Sequence, residues 1–265
     1  MMDRKDLSQA WTVAVYEIRK YLRGRRLLGM LILLALIVGL LLGLPKALGQ
    51  PYPSDPDRFV ASFAQFASIL IVLCGVLFAA DALVSEHEKR TGYFLFPNPV
   101  RRETIVVGKL LASLLASGFI ILLYYAAAIL SALVITGSVT GAMGLSAAYA
   151  LAYMASVVGV AFLLSAILRG TISASVLTFF LFTLIFTLVD GLLNAAKVSP
   201  WFVPTAAAGI IGNVLAPPSP FPGPGGGVFT AFNPDVGASL AVFAAYFLVG
   251  GIVATVLFRR RELKS

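Results

Sequence analysis

Residues 110–168 read LLASLLASGFIILLYYAAAILSALVITGSVTGAMGLSAAYALAYMASVVGVAFLLSAIL, without one Asp, Glu, Lys, Arg or His. A helix needs about 20 apolar residues to cross about 30 Å of hydrocarbon at about 1.5 Å per residue. The run is far too long for one crossing. It offers one place to turn, Thr136-Gly-Ser-Val-Thr-Gly-Ala-Met-Gly144, where glycine and hydroxyl residues interrupt the aliphatic pattern. It therefore reads as two membrane helices, about 106–135 and 146–168.

Working outward, the charge-free runs 27–45, 59–80, 170–189 and 236–258 are each about one helix long. They give further spans at about 27–45, 59–80, 171–193 and 237–258. The run 198–234 behaves differently. Trp201 to Ala216 is short and broken by Pro204, and it leads into Pro217-Pro-Ser-Pro-Phe-Pro-Gly-Pro-Gly-Gly-Gly227, which is expected to hold neither helix nor sheet. Exposed backbone of that kind cannot sit in lipid, so 195–236 is read as one external or re-entrant segment. The fold class is an all-α integral membrane protein with six spans in one domain, 1–265. A composition of 59% hydrophobic and 12% charged residues, with a mean hydropathy of +0.94, excludes a soluble enzyme, a disordered chain and a disulfide-stapled secreted module. The lone Cys74 lies in an apolar run and reads as a small buried thiol.

Positive charge near span ends stays on the cytoplasmic side. With both termini inside, six spans place all but three of the 20 Lys and Arg on that side, the exceptions being Lys46, Arg58 and Lys197. A seventh crossing at 201–216 would strand Arg259-Arg-Arg261 outside. Topology thus explains the net charge of +8, and nucleic-acid binding is disfavoured because the basic residues hug membrane edges. The first apolar run lacks a small-residue cleavage site and is expected to remain as span one of a multi-pass protein of the cell membrane.

Two internal segments stand out. In residues 1–26, Leu7, Trp11, Ala14, Val15, Ile18 and Leu22 recur at helical spacing, with Gln9, Glu17, Arg19, Lys20 and Arg23 opposite. A basic amphipathic helix of this kind lies in the headgroup plane, either as a simple anchor or as an elbow for a partner. In the internal segment 81–105, Tyr93, Phe94, Leu95 and Phe96 stand between two charged clusters, and Asn98-Pro99 marks a helix break. Apolar residues rimmed by charge mark a docking surface; interfacial anchoring is the alternative.

The string EHEKRTGYFLFPNPVRRETIVVGK, residues 86–109, resembles the cytoplasmic segment of ABC-2 type transporter permeases. Matching positions are Glu86, Glu88, Thr91, Gly92, the run Phe94 to Phe96, Pro99, Val100, Arg101 or Arg102, and Gly108 with Lys109. The small residue usual between Pro-Val and Arg is missing. The resemblance implies the transmembrane subunit of an ABC exporter, with 81–105 as the coupling segment against an ATP-binding subunit. Its contact residues would be Glu86, Glu88, Thr91, Gly92, Phe94, Phe96, Pro99, Arg101 and Arg102. The turn at Leu168, Arg169, Gly170 and Thr171 would give a second contact, through Arg169. Two ATP-binding subunits and a second, identical permease chain are the implied partners, and Gly39 and Gly43 in span one the candidate dimer contact.

No GxxxxGK[ST] loop occurs, so ATP and Mg are expected on the partner rather than here, and no cofactor or metal is expected in this chain. The only histidine, His87, lies outside the spans, which excludes HExxH zinc sites and Ser-His dyads. Asp190 and Asp81 fall at opposite membrane edges as boundary residues, so an aspartyl dyad is disfavoured. Mid-span ionisable groups for proton relay are lacking, which favours amphipathic or lipid-like cargo; an ATP-independent facilitator or scramblase remains the alternative. Ser113 and Ser117, Ala148, Ala152 and Ser156, and Gly237, Ala241 and Ala245 are expected mainly to pack helix on helix. Trp201 is expected as an interfacial anchor, and 195–236 as an exit cap or a flexible connector.

Overall fold

The computed structural model describes residues 4–85, 102–217, 221–222, 228–229 and 233–260. Among the described residues, an N-terminal helix, Arg4–Arg23, precedes six helices long and apolar enough to cross a membrane. These are span one (Arg26–Ala47), span two (Pro56–Ala79), span three (Arg102–Thr136), span four (Gly141–Ile167), span five (Thr171–Ala195) and span six (Val236–Arg260). Asp55 caps span two by accepting from the Asp57 amide at 3.0 Å, with Pro56 as its first helical residue. The turn between spans three and four is made by Gly137, whose φ of 78° suits a residue without Cβ.

Span three is longer than charge placement suggested. Its 35 residues measure about 52 Å, well beyond a hydrocarbon core of about 30 Å, so its first turns stand outside the bilayer. Charged Arg102 and Glu103 can therefore be helical without entering lipid.

Span four is the axis of the bundle, with about half of its 27 residues buried, whereas span one buries only Met30 and Leu34. Spans four and six cross backbone to backbone. A Cβ on Gly159 would lie 2.7 Å from Phe247 Cα, and one on Gly250 would collide with the Gly159 carbonyl. Close approach of this kind maximises van der Waals contact where no hydrophobic effect drives helices together. It corrects the expected packing stripe: Gly237, Ala241, Ala245 and Ala148 are all exposed, while Ser113, Ser117 and Ser156 are buried.

Several polar groups inside the bundle find partners, which lowers the cost of burying them in hydrocarbon, although Ser117 Oγ is buried without a hydrogen-bond partner among the described residues. Tyr124 donates to the Phe63 carbonyl at 2.8 Å, tying span three to span two. The hydroxyls of Tyr125 and Ser146 lie 3.0 Å apart, and Ser146 donates to the Ile211 carbonyl at 2.7 Å.

That last bond anchors the segment between spans five and six. Two one-turn helices, Pro204–Ala207 and Ile210–Asn213, bury Val203, Ala207, Ile210, Ile211 and Leu215 against the bundle. Neither is long enough to cross. This portion is packed rather than a loose connector, and Trp201 stays exposed with its ring edge-on to Phe202. Phe221–Pro222 of the Pro/Gly stretch pairs antiparallel with Val228–Phe229 beyond it, Phe221 opposite Phe229; a ladder this short needs only one or two backbone donors and leaves the all-α class unchanged.

Candidate functional site

Span two ends in a π-helical turn, Gly75–Ala79, and a loose turn, Ala80 to Leu83, follows it. A helix that stops leaves carbonyl and amide groups without helical partners. Here four other elements supply them. The Phe78 carbonyl accepts from Tyr21 of the N-terminal helix at 2.8 Å and from Ser113 of span three at 2.6 Å. The amides of Leu83 and Val84 donate to Ser165 Oγ of span four at 3.0 and 3.1 Å. Arg26, opening span one, donates to the Leu77 carbonyl at 3.2 Å and pairs with Asp81 at 2.6 Å. The chain that leads into residues 86–101 is thus pinned to spans one, three and four and to the N-terminal helix at a single place.

A second lock joins the N-terminal helix to span three. Gly108 lets the two backbones touch: a Cβ there would sit 2.6 Å from the Ala10 carbonyl oxygen. Beside it, Lys109 Nζ lies 3.2 Å from Glu17, with the Lys109 side chain 3% exposed and that of Glu17 9%. Lys20 also reaches Glu17, at 2.6 Å. Two buried charges of opposite sign tolerate burial only while both remain. Burial, and then the nearby Glu17 carboxylate, push the Tyr21 phenol up from its ordinary value, which keeps the hydroxyl protonated and donating. At the surface, Arg259 of span six pairs with Glu103 of span three at 2.8 Å.

Two sequence expectations change here. Glu17 belongs to the face that meets span three, together with Ala10, Ala14 and Tyr21, and not to the solvated side. Asp81 is an ion-paired residue of the junction rather than a simple boundary residue. Of the expected contact residues, Glu86, Glu88, Thr91, Gly92, Phe94, Phe96, Pro99 and Arg101 lie outside the described residues, as does the Arg102 side chain. Arg169 is exposed in the turn between spans four and five. Gly39 and Gly43 are exposed on span one, and a Cβ on either would meet nothing within 4 Å.

A recess of mixed character, about 450 Å³, opens between span two and the short helices, where Gln65, Ser68, Thr205 and Asn213 stand among alanine, glycine and isoleucine. Gln65 is exposed nine residues into span two, and Thr205 Oγ1 is buried without a hydrogen-bond partner among the described residues. On span five, Thr183, Thr187, Asp190 and Asn194 recur at helical spacing along one side. Asn194 donates to Asp190 at 2.7 Å.

Six helices long and apolar enough to cross a membrane among the described residues, span four the most buried of them, define a multi-pass membrane protein. The family profile described as ABC-2 family transporter protein matches residues 11–263, and the chain belongs to that family. As a member it belongs to the class of ABC transporter membrane subunits. Among curated proteins the chain is similar to "Probable ABC transporter permease protein NosY" of Pseudomonas aeruginosa, 33% identical over 138 residues, covering 52% of this chain and 50% of the relative. The protein of the same name from Stutzerimonas stutzeri is 32% identical over 133 residues, 49% of this chain and 48% of the relative. The alignments thus span about half the length of the curated relatives.

Proposed function

We propose that the chain is the permease of an ATP-driven exporter, working as a homodimer in the cell membrane with two ATP-binding subunits docked on residues 86–101. ATP and Mg belong to those subunits, and both termini of the permease face the cytoplasm. The observation that carries this reading is the junction at the end of span two. Force applied to the segment after Ser85 reaches four other elements at once, through Tyr21, Ser113, Ser165 and Arg26. A docking segment that drives rearrangement of spans needs such a rigid root, because a flexible one would dissipate the motion.

Glu86, Glu88, Arg101 and Arg102 would make charge-assisted contacts with the ATP-binding subunit, and Phe94 and Phe96 would fill a groove on it. Arg169 would add the second contact. The span-one face carrying Gly39 and Gly43 would meet the partner permease. Gln65 and the span-five polar side favour a protein- or water-lined environment over lipid, which supports their lining the pathway of an amphipathic or lipid-like substrate. Proteoliposomes carrying the chain with excess ATP-binding subunit test this: amphipathic compounds should stimulate ATP turnover with the wild type, and Phe94→Ala with Phe96→Ala should abolish the stimulation, leaving the turnover of the ATP-binding subunit alone. Transport by the chain alone, independent of ATP, would contradict it.

A further inference from the structure

The N-terminal helix presents three sides at about 100° per residue. Ala10, Ala14, Glu17 and Tyr21 meet span three; Leu7, Trp11 and Leu22 are exposed apolar residues; Tyr16, Arg19, Lys20 and Arg23 form the third side. The exposed apolar stripe gains nothing from water and fits the acyl boundary of a bilayer. Arg19 follows that stripe by about a quarter turn. Chain connectivity fixes the depth: span one begins at Arg26, so Arg23, Gly24 and Arg25 stand where the bilayer surface must be.

At this junction Tyr16, Arg19, Lys20, Arg23 and Gly24 line a recess of about 430 Å³. Among the described residues its charge is unbalanced. Glu17, the nearest carboxylate along the helix, is held by Lys109 and Lys20, and Arg26 is engaged by Asp81. Among the described residues no carboxylate pairs with Arg19, Arg23 or Arg25. Arg19 lies over the Tyr16 ring, 5.7 Å from its centroid, which positions the guanidinium at the recess.

We propose that this recess binds the phosphate headgroup of an anionic phospholipid, with Arg19 and Arg23 as its cationic contacts, the Tyr16 hydroxyl as a neutral donor and the acyl chains lying along Leu22 and Leu7. Basic clusters on an amphipathic helix next to a span attract anionic lipid by about 1 kcal/mol per cation. The proposal rests on the interfacial position of the helix and not on its sidedness, since a nanodisc exposes both leaflets.

The test is native mass spectrometry of the full-length chain extracted from nanodiscs of equal phosphatidylglycerol and phosphatidylcholine. The wild type should retain phosphatidylglycerol preferentially, and Arg19→Gln with Arg23→Gln should lower that preference about 30-fold. Arg19→Gln alone should lower it about 5-fold, should the double variant fail to fold. Arg259→Gln with Arg260→Gln, which removes the same charge elsewhere, should leave it unchanged. An equal fall in that control, no preference in the wild type, or equal thermal protection by inorganic phosphate alone would overturn the lipid assignment.

Discussion

Replacing Lys109 by Met isolates the second lock. The side chain is 3% exposed, and its removal leaves the Glu17 carboxylate buried with Lys20 as the remaining partner shown here. Deleting one member of a buried pair costs about 3–5 kcal/mol, because the survivor keeps its desolvation penalty without the attraction. Lys20 is 41% exposed and can follow Glu17 toward water, which places the expected loss near the lower end, at about 3 kcal/mol. For a chain of this size that corresponds to a Tm fall of roughly 6–12 °C. Thermal unfolding in detergent measures it. The double variant Lys109→Met with Glu17→Met should recover most of the loss, since neither charge then remains to be buried. A single variant as stable as wild type, or a double variant that loses the sum of both single losses, would refute the reasoning.

Tyr21→Phe removes one donor to the Phe78 carbonyl but leaves Ser113 in place, so a loss of about 1 kcal/mol is expected in the same unfolding assay. Gly250→Leu drives a side chain into the Gly159 carbonyl and should abolish the folded monomer in size-exclusion chromatography, whereas Gly237→Leu, on an exposed face, should be tolerated. At Gly39 an added Cβ meets nothing within 4 Å among the described residues, so Gly39→Leu should leave the fold intact while weakening self-association; an undiminished dimer in detergent would remove span one from that interface.

The six spans were legible because lipid tolerates so few charges that their absence outlines each helix. What sequence could not show was which way each helix turns. Glu17 reads as a solvated residue on a basic amphipathic helix, and only the approach of span three at Gly108 brings Lys109 beside it. The same applies to Asp81, whose partner Arg26 is far along the chain. Small residues were a poor guide: glycine and alanine are abundant throughout, and the crossing of spans four and six uses Gly159 and Gly250 rather than the four-residue stripe at Gly237. The early start of span three was hidden because Arg102 and Glu103 look like loop residues, although a helix outside the bilayer can carry them. The Gly-Lys pair in the motif gains a physical reason, since one residue allows backbone contact and the next closes the ion pair. The residues expected to touch the ATP-binding subunit remain expectations of the resemblance, as eight of the ten positions lie outside the described residues.

The most direct measurement is the amount of ATP-binding subunit that co-purifies with the chain when the two are co-expressed. Equimolar recovery with the wild type is expected, together with at least about a tenfold loss for Phe94→Ala with Phe96→Ala and no loss for Trp201→Ala at the other end of the bundle. Equal recovery by all three proteins, or none with the wild type, would contradict the proposed coupling.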